Sequence, residues 1–148
     1  MRLNFVFCQA NRGDFPRFVD LVAARWPRAG IVFSFVGSHT DVVPRVASLI
    51  PTFTDVMPSL VAGLARARAA GVDVYGFESM CGLPLCVVPE AERAGFSTHP
   101  LAADAGGGEF VKAEVCATCA EGYRCYGIRR GYAELYGTAE LHALAATP

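Results

Sequence analysis

Ile31-Val32-Phe33-Ser34-Phe35-Val36 places apolar side chains at five of six positions and on both alternating faces of an extended chain. Strands that are apolar on both sides mark a covered, parallel sheet. Upstream, Leu3 to Phe7 is a second short run of strand formers that leaves into the polar turn Gln9-Ala10-Asn11-Arg12-Gly13-Asp14. Between the two runs, Phe15, Phe18, Val19 and Val22 recur at helical spacing. Asp14 is placed to cap that helix, Pro16 sits in its first turn, and Trp26-Pro27 ends it. Downstream, a long connection from Gly37 to Phe53 contains Pro44 and Pro51. A second helix then starts at Thr54 or Asp55, carries the stripe Val56, Leu60, Val61, Leu64 and Ala67, and stops at Gly71. Val72 to Phe77 reads as a third strand.

The order strand, helix, strand, helix, strand, joined by right-handed crossovers, predicts three parallel strands whose C-terminal ends share one edge. In such sheets and barrels that edge is where ligands bind. Its loops carry Asn11, Ser38 to Asp41, and Glu78 to Cys86. Asn11 and Glu78 are the candidate substrate- or cofactor-binding residues. Three parallel strands cannot close a barrel, so one edge and part of an apolar face are expected to lie open.

From Glu90 to Gly108 the pattern fades into alanine, glycine and small polar residues, and this stretch reads as a flexible bridge. Order is expected again from Phe110, with a short helix around Gly131 to Tyr136 stopped by Gly137. The organisation expected is therefore an α/β unit over 1–89, a bridge over 90–109, and a small cysteine-rich unit of loops and helix over 110–148.

Composition narrows the function classes. Hydrophobic residues make up 53% of the 148 residues and charged residues only 18%, with a mean hydropathy of +0.33. That is apolar for a domain of average composition. No apolar run approaches the roughly 20 residues that cross a bilayer. The N-terminal segment lacks a small-residue cleavage site, so it does not read as a signal peptide. A net charge of −1 and a pI near 6.3 leave no electrostatic footprint for nucleic acid. The expected setting is a reducing cytoplasm, where thiols serve coordination rather than disulfides.

Cysteine carries the chemistry. Cys116-Ala-Thr-Cys119 is followed after five residues by Cys125, and Cys81 and Cys86 are the upstream thiols that could complete a set of four. Structural zinc and iron-sulfur clusters both take four thiolates, but a zinc ribbon presents two Cys-x-x-Cys knuckles. Here there is one knuckle, a lone cysteine, and an upstream pair separated by four residues, which favours a cluster over zinc. Pro84 gives the chain a rigid turn beside Cys86, and Cys81 is the alternative ligand. Cys8 reads as a small core residue, and His39, His99 and His142 as surface side chains.

The run Cys81-Gly-Leu-Pro-Leu-Cys86-Val-Val-Pro, then Phe110-Val-Lys, Cys116-x-x-Cys119, Cys125-Tyr-Gly-Ile, Tyr132 and Leu135-Tyr-Gly137 with Glu140-Leu141, resembles the C-terminal portion of radical S-adenosylmethionine proteins. The resemblance implies half of a partial (β/α) barrel followed by a SPASM- or twitch-like extension. It also implies an auxiliary [4Fe-4S] cluster on Cys86, Cys116, Cys119 and Cys125. In that superfamily a further cluster cleaves S-adenosylmethionine, and the resulting radical takes a hydrogen atom from substrate, often a peptide. The Cys-x3-Cys-x2-Cys triad that holds that further cluster is absent, since no cysteine besides Cys8 precedes Cys81. No catalytic residue is therefore assigned, and S-adenosylmethionine enters only with an N-terminal half supplied in cis or in trans. A full SPASM pattern carries another cysteine where this chain has Arg129, so a single auxiliary cluster is implied. The alternative is a non-catalytic zinc-binding domain that recruits a partner through its open sheet edge.

Overall fold

A computed structural model describes residues 1–37, 43–75, 82–93, 98–102, 106 and 108–146. It is a mixed α/β structure with a three-stranded parallel sheet, and four α-helices lie among the described residues. Strand β1 (Arg2–Phe7) pairs in parallel with β2 (Gly30–Phe35), which pairs in parallel with β3 (Val74–Tyr75). The register sets Phe5 beside Phe33 and Phe7 beside Phe35, so four rings share one face of the sheet. Both connecting helices, α1 (Phe15–Arg25) and α2 (Phe53–Ala70), pack against each other and contribute to the same core.

Both helices follow their apolar spacing. Phe15, Val19 and Val22 are buried on α1, and Val56, Leu60, Leu64 and Ala67 on α2. Val61, expected in that stripe, is only half-buried. The Asp14 side chain makes no cap bond. On α2 the cap is Thr52, whose side chain accepts from the Asp55 N–H at 3.1 Å, and Gly71 ends the helix at φ +67° in the left-handed region. The helices meet closely because Gly63 has no side chain: a Cβ there would stand 2.2 Å from the Phe15 ring.

The second face of the sheet is less covered than its apolar sequence suggests. Val6 is 40% exposed and Tyr75 37%, and the Tyr75 ring lies over Gly30 with the Arg2 guanidinium 4.2 Å above its centroid. The described part of the third strand is two residues long, and positions 76–81 lie outside the described residues. The start of the expected bridge is ordered as a short helix, α3 (Glu90–Arg93), held by Arg68 to Glu92 at 2.8 Å and by Arg93 to the Val88 carbonyl at 2.8 Å.

The C-terminal part forms a two-residue antiparallel ladder, β4 (Phe110–Val111) with β5 (Ile128–Arg129), and the helix α4 (Arg130–Tyr136). Its Tyr132 enters the main core. The ring stacks on Phe53, with centroids 4.1 Å apart and planes 14° apart, and its oxygen accepts from the Phe53 N–H at 2.9 Å. The Tyr132 hydroxyl donates to Glu140, whose other oxygen accepts from the Thr54 N–H at 2.8 Å and the Thr54 hydroxyl at 2.6 Å. A carboxylate is thus set against the positive end of α2. Burial, with the Glu140 hydrogen bond added, pushes the Tyr132 phenol well above its ordinary value. Burial alone would raise the Glu140 carboxyl, but bonds from Thr54, Tyr132 and the Phe53 backbone outweigh it and hold the carboxyl below its ordinary value.

Two outcomes follow from this packing. Gly63→Val should lower stability by about 1–3 kcal/mol in chemical denaturation, because the Phe15 ring has no room to yield without disturbing the core. A depressed carboxyl contributes stability that is present above the unfolded-chain pKa of about 4.3 and is lost as pH falls through the folded value. Glu140→Gln should therefore melt below the wild type near neutrality, with the gap in Tm closing as pH falls from about 6 to about 3; a gap independent of pH would contradict this.

Candidate metal centre

Two segments build the site. After position 82 the chain runs through Leu83, Leu85 and Val88, all buried, and the 3₁₀ turn Leu85–Val87 holds Cys86 between those anchors. The second segment is the connection between β4 and β5. A 3₁₀ turn, Glu114–Thr118, contains Cys116 and delivers Cys119 at its end, where the Cys119 N–H donates to the Cys116 carbonyl at 3.2 Å. The loop then folds back through Gly122, whose N–H donates to the Cys119 carbonyl at 3.0 Å. It reaches Cys125 just before Gly127, which has φ +89° and packs so closely that a Cβ would lie 2.4 Å from the Val111 carbonyl. Glycine is required there on both counts.

Cys86, Cys116, Cys119 and Cys125 line one cavity, with Leu85, Lys112, Leu141 and His142 among the side chains that close it. The cavity they line is small, about 20 Å³, room for about one water molecule. All four thiols are free and half-buried, as is Cys8. Backbone N–H groups converge on their sulfurs. Leu85 and Gly127 each donate to Cys125 Sγ at 3.4 Å, and Leu144 donates to Cys119 Sγ at 3.4 Å. The His142 N–H donates to Cys86. Burial pushes the Cys86 thiol above its ordinary value, the His142 bond works against that, and the other three cysteines add to the rise. The four groups are therefore within electrostatic reach of one another.

Among the described residues, no three His, Cys, Asp or Glu side chains form a group that could hold a metal ion as they stand. As a donor set the thiols fit an iron-sulfur cluster: four cysteines, none consumed in a disulfide, with hydrogen bonds to sulfur of the kind that tunes such centres.

The other candidate residues fall elsewhere. Asn11 closes the turn after β1, where Oδ1 accepts from the Cys8 N–H at 2.8 Å and Nδ2 donates to the Val6 carbonyl at 2.9 Å. Glu78, Cys81 and His39 lie outside the described residues. His142, expected only as a surface side chain, lines the thiol cavity. It also borders, with Cys86, an open apolar groove of about 650 Å³ along Met57, Val61 and Ala65 of α2. Arg129, standing where a further cysteine would extend the pattern, is buried in an ion pair with Glu109 and lies over the Phe110 ring at 5.1 Å.

No family model matches the chain, and neither a curated protein nor a solved structure does. Among the described residues no helix is long and apolar enough to cross a membrane.

If the four cysteines act as one ligand set, Cys86→Ser should cut metal or iron uptake as deeply as Cys119→Ser, while Cys8→Ser leaves it at the wild-type level. Equal uptake by Cys86→Ser and wild type, measured by elemental analysis, would remove the upstream ligand.

Proposed function

We propose that this chain is the C-terminal part of a radical S-adenosylmethionine enzyme and carries one auxiliary [4Fe-4S] cluster on Cys86, Cys116, Cys119 and Cys125. The observation that carries the reading is the ring of four free thiols drawn from two segments about one cavity, with backbone N–H donors aimed at three of the sulfurs. When bound, such a cluster supplies a one-electron redox couple. With protein thiolates on all four irons it has no position for substrate, so electron transfer suits it better than substrate ligation.

The sequence pattern favours the cluster over zinc: one Cys-x-x-Cys knuckle, a lone cysteine and an upstream thiol stand where a zinc ribbon would present two knuckles.

The parallel sheet supports the half-barrel part of the reading. Strand β1 pairs on one side only among the described residues, and the sheet face away from the helices stays partly open. In a (β/α) barrel that edge continues to a further strand and that face is the interior. An N-terminal half, in cis or in trans, would supply both, together with the S-adenosylmethionine site. A peptide is the substrate class that the resemblance suggests.

Anaerobic reconstitution with iron and sulfide tests the reading. The expected product is brown, with four irons and four sulfides per chain. Colourless protein that binds one zinc would instead support the zinc-binding recruitment domain.

A further inference from the structure

Lys112 is the chain's only lysine, against twelve arginines, and it lines the thiol cavity. It follows β4 directly, and its stem is pressed toward Gly127, where a Cβ would come within 3.1 Å of Lys112 Cγ. Its ammonium donates to the Gly122 carbonyl at 2.6 Å, inside the loop that joins Cys119 to Cys125. Among the described residues lining that cavity it is the one lysine or arginine.

We propose that Lys112 is a positioning residue for the redox centre: its positive charge at the cavity wall favours the reduced cluster, and its bond to Gly122 restrains the loop between Cys119 and Cys125. This rests on the cluster reading above. A centre with four thiolates is anionic and gains a further negative charge on reduction, so a nearby cation stabilises the reduced form more than the oxidised one. Lys112 is exposed, and its contribution is therefore screened by salt.

Spectroelectrochemical titration of the reconstituted protein provides the test. Lys112→Met, which keeps the stem and loses the charge, should hold the cluster with an unchanged spectrum but a more negative midpoint potential than wild type. That difference should shrink as salt rises from about 0.05 to about 0.5 M, and Lys112→Arg should stay close to wild type. If Lys112→Met does not retain the cluster, Lys112→Gln, a neutral donor, takes its place in the same titration. An unchanged potential in the neutral variant overturns the proposal while leaving the cluster in place. Loss of the cluster from both neutral variants also overturns it, leaving Lys112 as a clamp alone. Failure of the wild type to take up iron and sulfide defeats the cluster reading itself.

Discussion

The hydroxyl of Tyr132 joins the C-terminal region to the α/β layer, and the tail that meets the Cys86 and Cys119 sulfurs leaves from that joint. A helix leaves its first N–H groups without partners inside the helix. At the start of α2 three successive donors find oxygens elsewhere: the Phe53 N–H goes to Tyr132, the Thr54 N–H to Glu140 and the Asp55 N–H to Thr52. Two of the three acceptors come from about 80 residues further along the chain, so the helix end and the C-terminal region complete one another. The stacked rings of Tyr132 and Phe53, with Phe35 edge-on at 5.9 Å, add apolar burial around the same point. Tyr136 adds a second tie, donating to the Ile50 carbonyl at 2.6 Å.

That joint reaches the sulfurs by a short path. Glu140 is followed at once by Leu141, which is buried, and then by His142 and Leu144, whose backbone N–H groups meet Cys86 and Cys119. From the other side Leu85 donates to Cys125. Each of the two cysteine-bearing segments thus hands a donor to the sulfur of the other or receives one from the tail that Glu140 anchors. Four cysteines brought together this way have part of their ordering entropy offset by the packing of the fold itself.

Sequence periodicity made the α/β layer legible. The helices α1 and α2 and the strands β1 and β2 have apolar residues repeating at the spacing of their backbones, and their ends are marked by proline or glycine. Spacing also singled out Cys116, Cys119 and Cys125, with Cys86 from upstream, and the fold brings these four to one cavity. Lys112, His142 and the Tyr132–Glu140 pair were not legible, because a single polar residue in a loop has no period and gains meaning only from what the chain returns to meet. The open sheet face shows the converse. The run from Ile31 to Val36 is apolar on both sides, yet only the side bearing Ile31, Phe33 and Phe35 is fully buried, since pattern reports what a strand can cover and not what is present to cover it.

Arg129 ties the ladder of β4 and β5 to the stretch that precedes Cys86. The guanidinium of Arg129 occupies the ladder position that follows the Cys125 loop, buried against Phe110 and Glu109, and Gly82 is glycine partly because a Cβ there would stand 2.7 Å from Arg129 Nε. Arg129 therefore packs directly against the start of the stretch that leads into Cys86. An arginine held in this way is a spacer with a fixed length and charge, and a buried charge whose partner is removed is costly. Replacing it with cysteine would leave Glu109 without its buried partner and open space beside Gly82, so packing around the ladder, and not only cavity chemistry, holds arginine at this position.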